Sequence, residues 1–330
     1  MNSSDASILQ SPEYCQFLKD QGYRIFSLIV YDDGQPVSYI MGRYIRKLNI
    51  IRTMGIGGLA GGCPIVVDGL ENRPEIQEAS INILNRELSG ISLGMVNFYT
   101  PTYSGEGLWN SLYRNGYGLV KQKYTPIVDI STGKDELWKT IDRKNRNVIR
   151  YAIKNNVTVE VDNSNRAFND FYELYRETSA RKGFRPNQFG IMKCQFDVLS
   201  KNNLADIWLA KKDEEILAGA FIWKYRDMAY YAYGSSSISG GKLKASNLLN
   251  WELMTKYGAE GYKYYNMWEG SPDKNSPLYD VTAFKLSFGA RLVPIPEFSR
   301  VNNKMVNFIF SMTPNSVCEG LSRRFISARP

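Results

Sequence analysis

The feature that most limits the fold of this chain is the ordered alternation of periodicities in its second half. Helical spacing runs from Arg166 to Lys182, then strand-like runs follow at Leu204 to Lys211, Glu215 to Trp223 and Met228 to Tyr233. The turn Lys212-Asp213-Glu214 separates the first two of those runs. A helix over Ala245 to Tyr257, a strand over Tyr262 to Trp268, a helix over Tyr279 to Phe288 and an extended run from Leu292 complete the series. Strands that alternate with helices in this way need an α/β domain, in which helices cover the faces of the sheet.

The first half follows the same order more loosely. Ser11 caps a short helix to Asp20 with Pro12 in its first turn, and strands over Tyr23 to Val30 and Val37 to Arg43 flank the turn Asp32 to Pro36. A helix over Glu75 to Leu88, a strand at Val96 to Tyr99, a helix at Gly107 to Asn115 and a strand at Tyr124 to Ile130 follow. No repeat is visible residue by residue, so duplication rests on element order alone. A length of 330 residues suits two domains, expected at 1–145 and 146–299, with segment 300–330 a possible addition to the first.

The chain contains no histidine, which excludes Ser-His-Asp and Cys-His catalysis, HExxH zinc sites and an imidazole base. Cys15, Cys63, Cys194 and Cys318 show no metal spacing, so neither metal nor disulfide is expected. No apolar run approaches the roughly 20 residues of a membrane span, and Met1 to Gln10 lacks leader character. A cytoplasmic protein is the expectation. The net charge of +8 favours polyanionic partners without choosing among RNA, nucleotide-linked substrates and anionic membranes.

Four segments carry candidate chemistry. Glu136 to Asn155 is expected to be one helix, with Lys139, Arg143, Arg146, Arg150 and Lys154 in a stripe opposite the apolar face. That stripe is either a solvated face or a phosphate-facing ridge. The glycines between Gly55 and Gly62 lack the Lys-Ser/Thr of a P-loop and read as a flexible loop. The run Gly234 to Lys244 stands where an acetyl-CoA enzyme carries its pyrophosphate loop, and it does not match that pattern. Finally Tyr230, Tyr231, Tyr233, Tyr264, Tyr265 and Trp268 cluster on two strands, as core packing or as a cleft wall.

Taken together, several segments resemble the FemABX-like aminoacyltransferases and the related BioF2-like acyltransferases. Gln10-Ser11-Pro12-Glu13-Tyr14 with Lys19 is similar to the family's opening helix, and Gly62-Cys63-Pro64-Ile65-Val66 to its Pro-Val loop without the Arg-Gly pair. Arg143 to Lys154 resembles its basic helix, and Phe171 through Thr178, Arg181, Gly183 and Phe184 its next motif. Leu217 to Ala220, Tyr230 to Ser235, Asn247 to Glu252 and Phe284 to Gly289 continue in the family's order. The long helical hairpin of some members has no counterpart.

The resemblance implies two tandem GNAT (acetyltransferase)-like domains, compact and without a coiled-coil insertion. It implies an aminoacyltransferase that moves an amino acid from aminoacyl-tRNA to the amine of a peptidoglycan-precursor stem peptide, with no cofactor. On this reading Lys285 is catalytic at the reacting ester. Lys19 and Arg181 hold the phosphates of a UDP- or lipid-linked muropeptide, and Tyr233, Tyr231 and Trp268 line the acceptor side. Arg143, Arg146, Arg150 and Lys154 face the tRNA. A monomer with peripheral association to the inner membrane surface is expected. The alternatives are an acyl-CoA-dependent N-acyltransferase for an envelope sugar or amine, and a non-enzymatic RNA-binding module.

Overall fold

The computed structural model describes residues 6–47, 51–56, 65–67, 70, 73–89, 95–99 and 105–301. In chain order these form α1 (Pro12–Asp20), β1 (Ile25–Asp32), β2 (Gln35–Lys47), β3 (Ile51–Ile56), β4 (Ile65–Val66), α2 (Pro74–Ser89), β5 (Met95–Tyr99), α3 (Gly105–Arg114) and β6 (Gly118–Asp129). Next come α4 (Lys134–Thr140), α5 (Arg143–Lys154), β7 (Thr158–Val161), α6 (Asn165–Lys182), α7 (Phe189–Lys201), β8 (Ala205–Lys212), β9 (Glu215–Tyr225) and β10 (Met228–Ser236). The described chain ends with α8 (Ile238–Lys242), α9 (Ala245–Ala259), β11 (Tyr264–Asn266), α10 (Tyr279–Leu286) and β12 (Arg291–Val301).

Packing divides the chain into two units. The first comprises Met1–Gln10, Gly22–Gln122 and Ile295–Pro330, the second Ser11–Gln21 and Lys123–Pro294. In the first, the antiparallel strands β1, β2 and β3 lead through α2 to β5, which pairs parallel with β3. Asp33 and Gly34 both take positive φ in the β1–β2 turn, the conformation a two-residue hairpin needs to follow strand twist. Ile40, Met54, Ile81, Leu84, Leu112 and Tyr117 form the buried core beneath α2 and α3.

The second unit repeats that plan. Antiparallel β8, β9 and β10 lead through α9 to β11, which pairs parallel with β10, and α10 follows. Along β9, Phe221 meets Phe168, Phe171 and Phe196 of α6 and α7, while Ala220 and Ile222 join the core of Leu248, Leu253 and Met254 from α9. The closing strand of each unit comes from the other half of the sequence. β6 follows α3 but its second part pairs with β11, and β12 follows α10 but pairs with β5. The division therefore differs from the expected cut at 145/146. It falls inside β6, because strand pairing and not sequence proximity decides membership, and α1 packs on α7 of the second unit.

Two other expectations change. The single helix over Glu136 to Asn155 is two helices, because Ile141 is extended and buried and Asp142 caps α5 by accepting the Lys144 amide at 2.8 Å. Lys139 accordingly leaves the stripe of Arg143, Arg146, Arg150 and Lys154. The helix α7 was not anticipated, although its buried Met192, Gln195, Phe196 and Leu199 follow helical spacing. The glycines Gly57 to Gly62, the loop Gly62 to Pro64 and residues 302–330 lie outside the described residues.

A polar cluster sits inside the second unit between β8, β9 and α9. Lys224 Nζ lies 2.8 Å from Asp206 Oδ2, which also accepts the Tyr257 hydroxyl at 2.9 Å, while Asn163 donates to Oδ1 at 2.9 Å. Trp208 in turn donates to the Tyr257 hydroxyl at 2.8 Å. Removing one partner of a buried ion pair strands the other charge. Asp206→Ala is expected to lower unfolding free energy by about 3–5 kcal/mol, measured by urea denaturation; a loss below 1 kcal/mol would contradict the role given to this pair.

Candidate functional site

The parallel pairing of β10 with β11 is short. Only Met228, Ala229 and Tyr230 face partners, Tyr264, Tyr265 and Asn266. Beyond that point β10 remains paired with β9 as far as Ser236, with an irregularity between Tyr231 and Tyr233. The other strand turns toward β6: the Met267 amide donates to the Pro126 carbonyl at 2.8 Å and the Gly270 amide to the Tyr124 carbonyl at 2.9 Å. The strands part after Tyr230, where the β10–β11 pairing ends.

The parting is fixed by side chains. Trp268 adopts φ +66°, a left-handed conformation that is costly for a bulky residue. Its amide donates to Asn266 Oδ1 at 2.8 Å, and Thr125 Oγ1 lies 2.7 Å from that same oxygen and 2.6 Å from the Trp268 carbonyl. The indole so aimed meets Trp223 edge-on at 5.2 Å. Trp223 also touches Tyr14 of α1 and Tyr233, and its buried indole nitrogen has no hydrogen-bond partner among the described residues. An unpaired buried donor costs about 1–3 kcal/mol, a loss that ligand sites commonly carry.

Lys285 projects from α10 into this region. Its Nζ donates to the Glu269 carbonyl at 2.6 Å, the residue directly after Trp268. The side chain is buried, and burial lowers its pKa from 10.5 to about 8, with Glu269 opposing the shift. The amine therefore carries its charge at neutral pH and can lose it under mildly alkaline conditions. That is the range a group needs to stabilise, or to donate a proton to, an oxygen developing negative charge.

The tyrosines divide between the two sides of the sheet. Tyr233 packs among Tyr175, Phe221 and Trp223, with its hydroxyl 3.4 Å from Gln195 Oε1. Tyr231 lies in the α9 layer, and burial lifts its pKa to about 12, with an Asn250 hydrogen bond opposing. A Cβ on Gly234 would stand 2.1 Å from the Tyr231 hydroxyl, so only glycine fits there. Tyr230 and Tyr265 are core residues, with the Tyr265 hydroxyl donating to Asn250 at 3.0 Å.

Arg181, at the exposed end of α6, donates to the Ser236 carbonyl at the end of β10. Thr178 makes two further bonds there, accepting the Ser236 amide and donating to its carbonyl, each at 3.0 Å. Lys19 is exposed on the last turn of α1. On α5, Arg146 donates to the carbonyls of Trp138 and Lys139 at 3.2 Å and so closes the end of α4. Arg150 lies over the Trp138 ring at 5.2 Å, beside a cavity of about 240 Å³ lined by Lys134, Ile153 and Trp251. Arg143 and Lys154 are exposed. Sequence reasoning picked out Lys285, Tyr231, Tyr233 and Trp268. It missed Thr125, Asn266 and Trp223, whose part depends on a turn that no local pattern announces.

Residues 139–274 match the family described as an acetyltransferase (GNAT) domain. The fold is similar to that of FemX, with a TM-score of 0.80 and 18% identity over 93% of this chain and 95% of that one. It is also similar to a tandem GNAT protein from the clavulanic acid biosynthesis pathway, with a TM-score of 0.51 and 11% identity over 85% and 84% of the two chains. In sequence it is 22% identical to a lipid II:glycine glycyltransferase of Staphylococcus haemolyticus, over 56% of this chain and 60% of the relative. The chain thus spans 60% of the length of that curated relative. Repeated units of meander, helix, parallel strand and helix define an α/β protein of two tandem GNAT-like units. Within that class, the fold is similar to that of FemX.

The displaced pKa has a measurable consequence. The unfolded chain binds a proton at Lys285 that the folded protein has lost between pH 8 and 10.5, so stability contributed by this position rises with pH across that window. The full displacement corresponds to about 3 kcal/mol. Urea denaturation of wild type and Lys285→Met between pH 7 and 10.5 is expected to show that rise in wild type only; parallel profiles would mean an ordinary, solvated lysine.

Proposed function

We propose that the protein transfers an amino acid from aminoacyl-tRNA to the amine of a peptidoglycan-precursor stem peptide. The observation that carries this reading is the buried Lys285 amine at the Glu269 carbonyl, just past the point where β11 turns away from β10. The donor ester is already activated, so a chain without histidine needs no covalent intermediate. The neutral acceptor amine attacks the ester carbonyl, a C–N bond forms, and the oxygen takes negative charge. As the tetrahedral species collapses, the ester C–O bond breaks and the ribose oxygen leaves with a proton. Lys285 faces the developing oxyanion and holds its charge through a buried, preorganised position. Alignment of amine and ester where β10 and β11 part supplies much of the rate.

Tyr233 and Trp268 form the acceptor wall in this scheme, with Tyr231 behind the strand at Gly234. Arg181 and Lys19 supply charge for the acceptor's phosphates, and Arg143, Arg150 and Lys154, exposed on α5, meet the tRNA together with the half-buried Arg146. Lipid II:glycine glycyltransferases among the relatives support a muropeptide acceptor. The donor reading is supported by the loop after β10. In α8 the Gly240 amide is taken by Ser237 Oγ at 2.9 Å and the Gly241 amide by the Ser237 carbonyl at 3.1 Å, so neither is open to a pyrophosphate. CoA-dependent N-acylation is the second reading, favoured by the GNAT match over residues 139–274.

Purified protein given a muropeptide precursor with mixed aminoacyl-tRNA is expected to yield product one amino-acid residue heavier, and no product with acetyl-CoA. Lys285→Ala should cut kcat by about 10²–10³-fold. Because the charged lysine is the working form, wild-type kcat should fall as pH rises through about 8. Product from acetyl-CoA alone would move the assignment to CoA chemistry, and full turnover by Lys285→Ala would remove Lys285 from the mechanism.

A further inference from the structure

We infer that Asn145, on the first turn of α5, is the positioning residue for Lys285. The helix that carries the lysine, α10, has eight residues, and the two it buries fully, Thr282 and Lys285, are both polar. Tyr279, Val281 and Leu286 are exposed, and Phe284 is half-buried. A helix this short is marginal in isolation, and helices in proteins draw most of their stability from a packed apolar face. Because α10 has little of one, polar ties decide where it sits.

Three ties hold it. Thr282 Oγ1 accepts the Ser271 amide at 2.8 Å and donates to the Leu278 carbonyl at 2.7 Å. Lys285, in the last turn, reaches the Glu269 carbonyl. The third tie is at Ser287, which ends the helix, and it comes from α5. Asn145 Nδ2 donates to Ser287 Oγ at 2.9 Å and to the Ser287 carbonyl at 3.3 Å, and that carbonyl also accepts the Asp142 amide at 2.9 Å. Carbonyls at the end of a helix lack partners within it, and here α5 supplies them.

Asn145 is built into its place. It is 4% exposed, and its Oδ1 accepts Asn247 Nδ2 of α9 at 2.8 Å. The turn that leaves α10 is pressed against the end of α4 as well: a Cβ on Gly289, at φ +81°, would stand 2.7 Å from Thr140 Oγ1. Ser287 Oγ donates to the Phe284 carbonyl at 2.6 Å, so a shift at Asn145 passes into the turn that carries Lys285. Arg143 and Arg150 are exposed on the same helix while Asn145 is buried, so loss of its amide leaves those cations in place.

The role rests on the transferase reading, in which Lys285 faces the reacting ester, and it adds the group that aims the lysine. Held as it is, the amine is buried with a pKa of about 8, and Glu269 is the charged side chain that acts on it. An α10 released at Ser287 admits water to the amine, and that value then rises toward the ordinary 10.5. The pH dependence of Lys285 acetylation by trace acetic anhydride, read by peptide mass spectrometry, follows this change and needs neither donor nor acceptor. Turnover with aminoacyl-tRNA and a muropeptide precursor is measured beside it. The variants are Asn145→Ala and the milder Ser287→Ala, which keeps the carbonyl bonds and carries the test where the first does not fold. Asn163→Ala is the control, since that amide ties Asp206 and the Ile207 amide at 2.9 Å in the same unit.

In Asn145→Ala the midpoint of Lys285 labelling should move from about 8 toward 10.5, with the neutral amine at pH 7.5 cut about tenfold or more. Its kcat should fall by about 10-fold to 10²-fold, and KM for aminoacyl-tRNA should stay within about twofold. The alkaline fall of kcat should move upward with the labelling midpoint. Ser287→Ala should shift the same way by less. Asn163→Ala should leave midpoint and kcat unchanged even where urea denaturation shows an equal loss of stability. An unmoved midpoint in Asn145→Ala and Ser287→Ala would overturn the inference, as would an equal shift in Asn163→Ala. A shifted midpoint in a protein that shows no transfer would keep the hold on Lys285 and remove the transferase reading alone.

Discussion

The short contact between β10 and β11 governs the rest of the second unit. Three residue pairs hold the parallel strands together, and then Asn266, Thr125 and the Trp268 backbone redirect one of them toward β6. Here the sheet is interrupted at one place, and the groups suited to chemistry gather around that place. Lys285 reaches the carbonyl just past the turn, Trp268 is swung against Trp223, and Tyr233 of β10 packs on that same Trp223.

The energetic cost of this arrangement is visible in three features: a tryptophan with positive φ, a buried indole N–H without a partner among the described residues and a buried lysine whose charge is disfavoured. Each opposes folding, and each lies within a few residues of the strand parting or touches a residue that does. The surrounding layers offset them. Phe168, Phe171, Phe196 and Phe221 form a continuous aromatic layer under α6 and α7, and the Asp206, Lys224 and Tyr257 cluster locks β8, β9 and α9 together. Stability drawn from the bulk of the unit tolerates strain at one edge.

Much of this was legible in the sequence. Periodicity placed the strands of the second meander and the helices α6, α9 and α10 to within a few residues. The exchange of β6 and β12 was not legible, because which strands pair is decided by contacts far apart in sequence. The break at Ile141 and Asp142 was overridden by a run of good helix formers on both sides, although an aspartate before Arg143 is an N-cap signal. At the site, the clustered aromatics and Lys285 were readable as candidates. The part played by Thr125 was not, since a lone threonine on a strand gives no sign that its hydroxyl will hold a turn more than a hundred residues away.

The central claim is that acyl transfer takes place where β10 and β11 part, against Lys285. The most direct measurement is a crystal structure with a phosphonate analogue of the tetrahedral adduct between an aminoacyl ester and the stem-peptide amine. A phosphonate oxygen is expected within hydrogen-bond distance of Lys285 Nζ, with the peptide portion where β10 and β11 part, beside Trp268. An analogue seated elsewhere, with Lys285 still bound only to the Glu269 carbonyl, would contradict it.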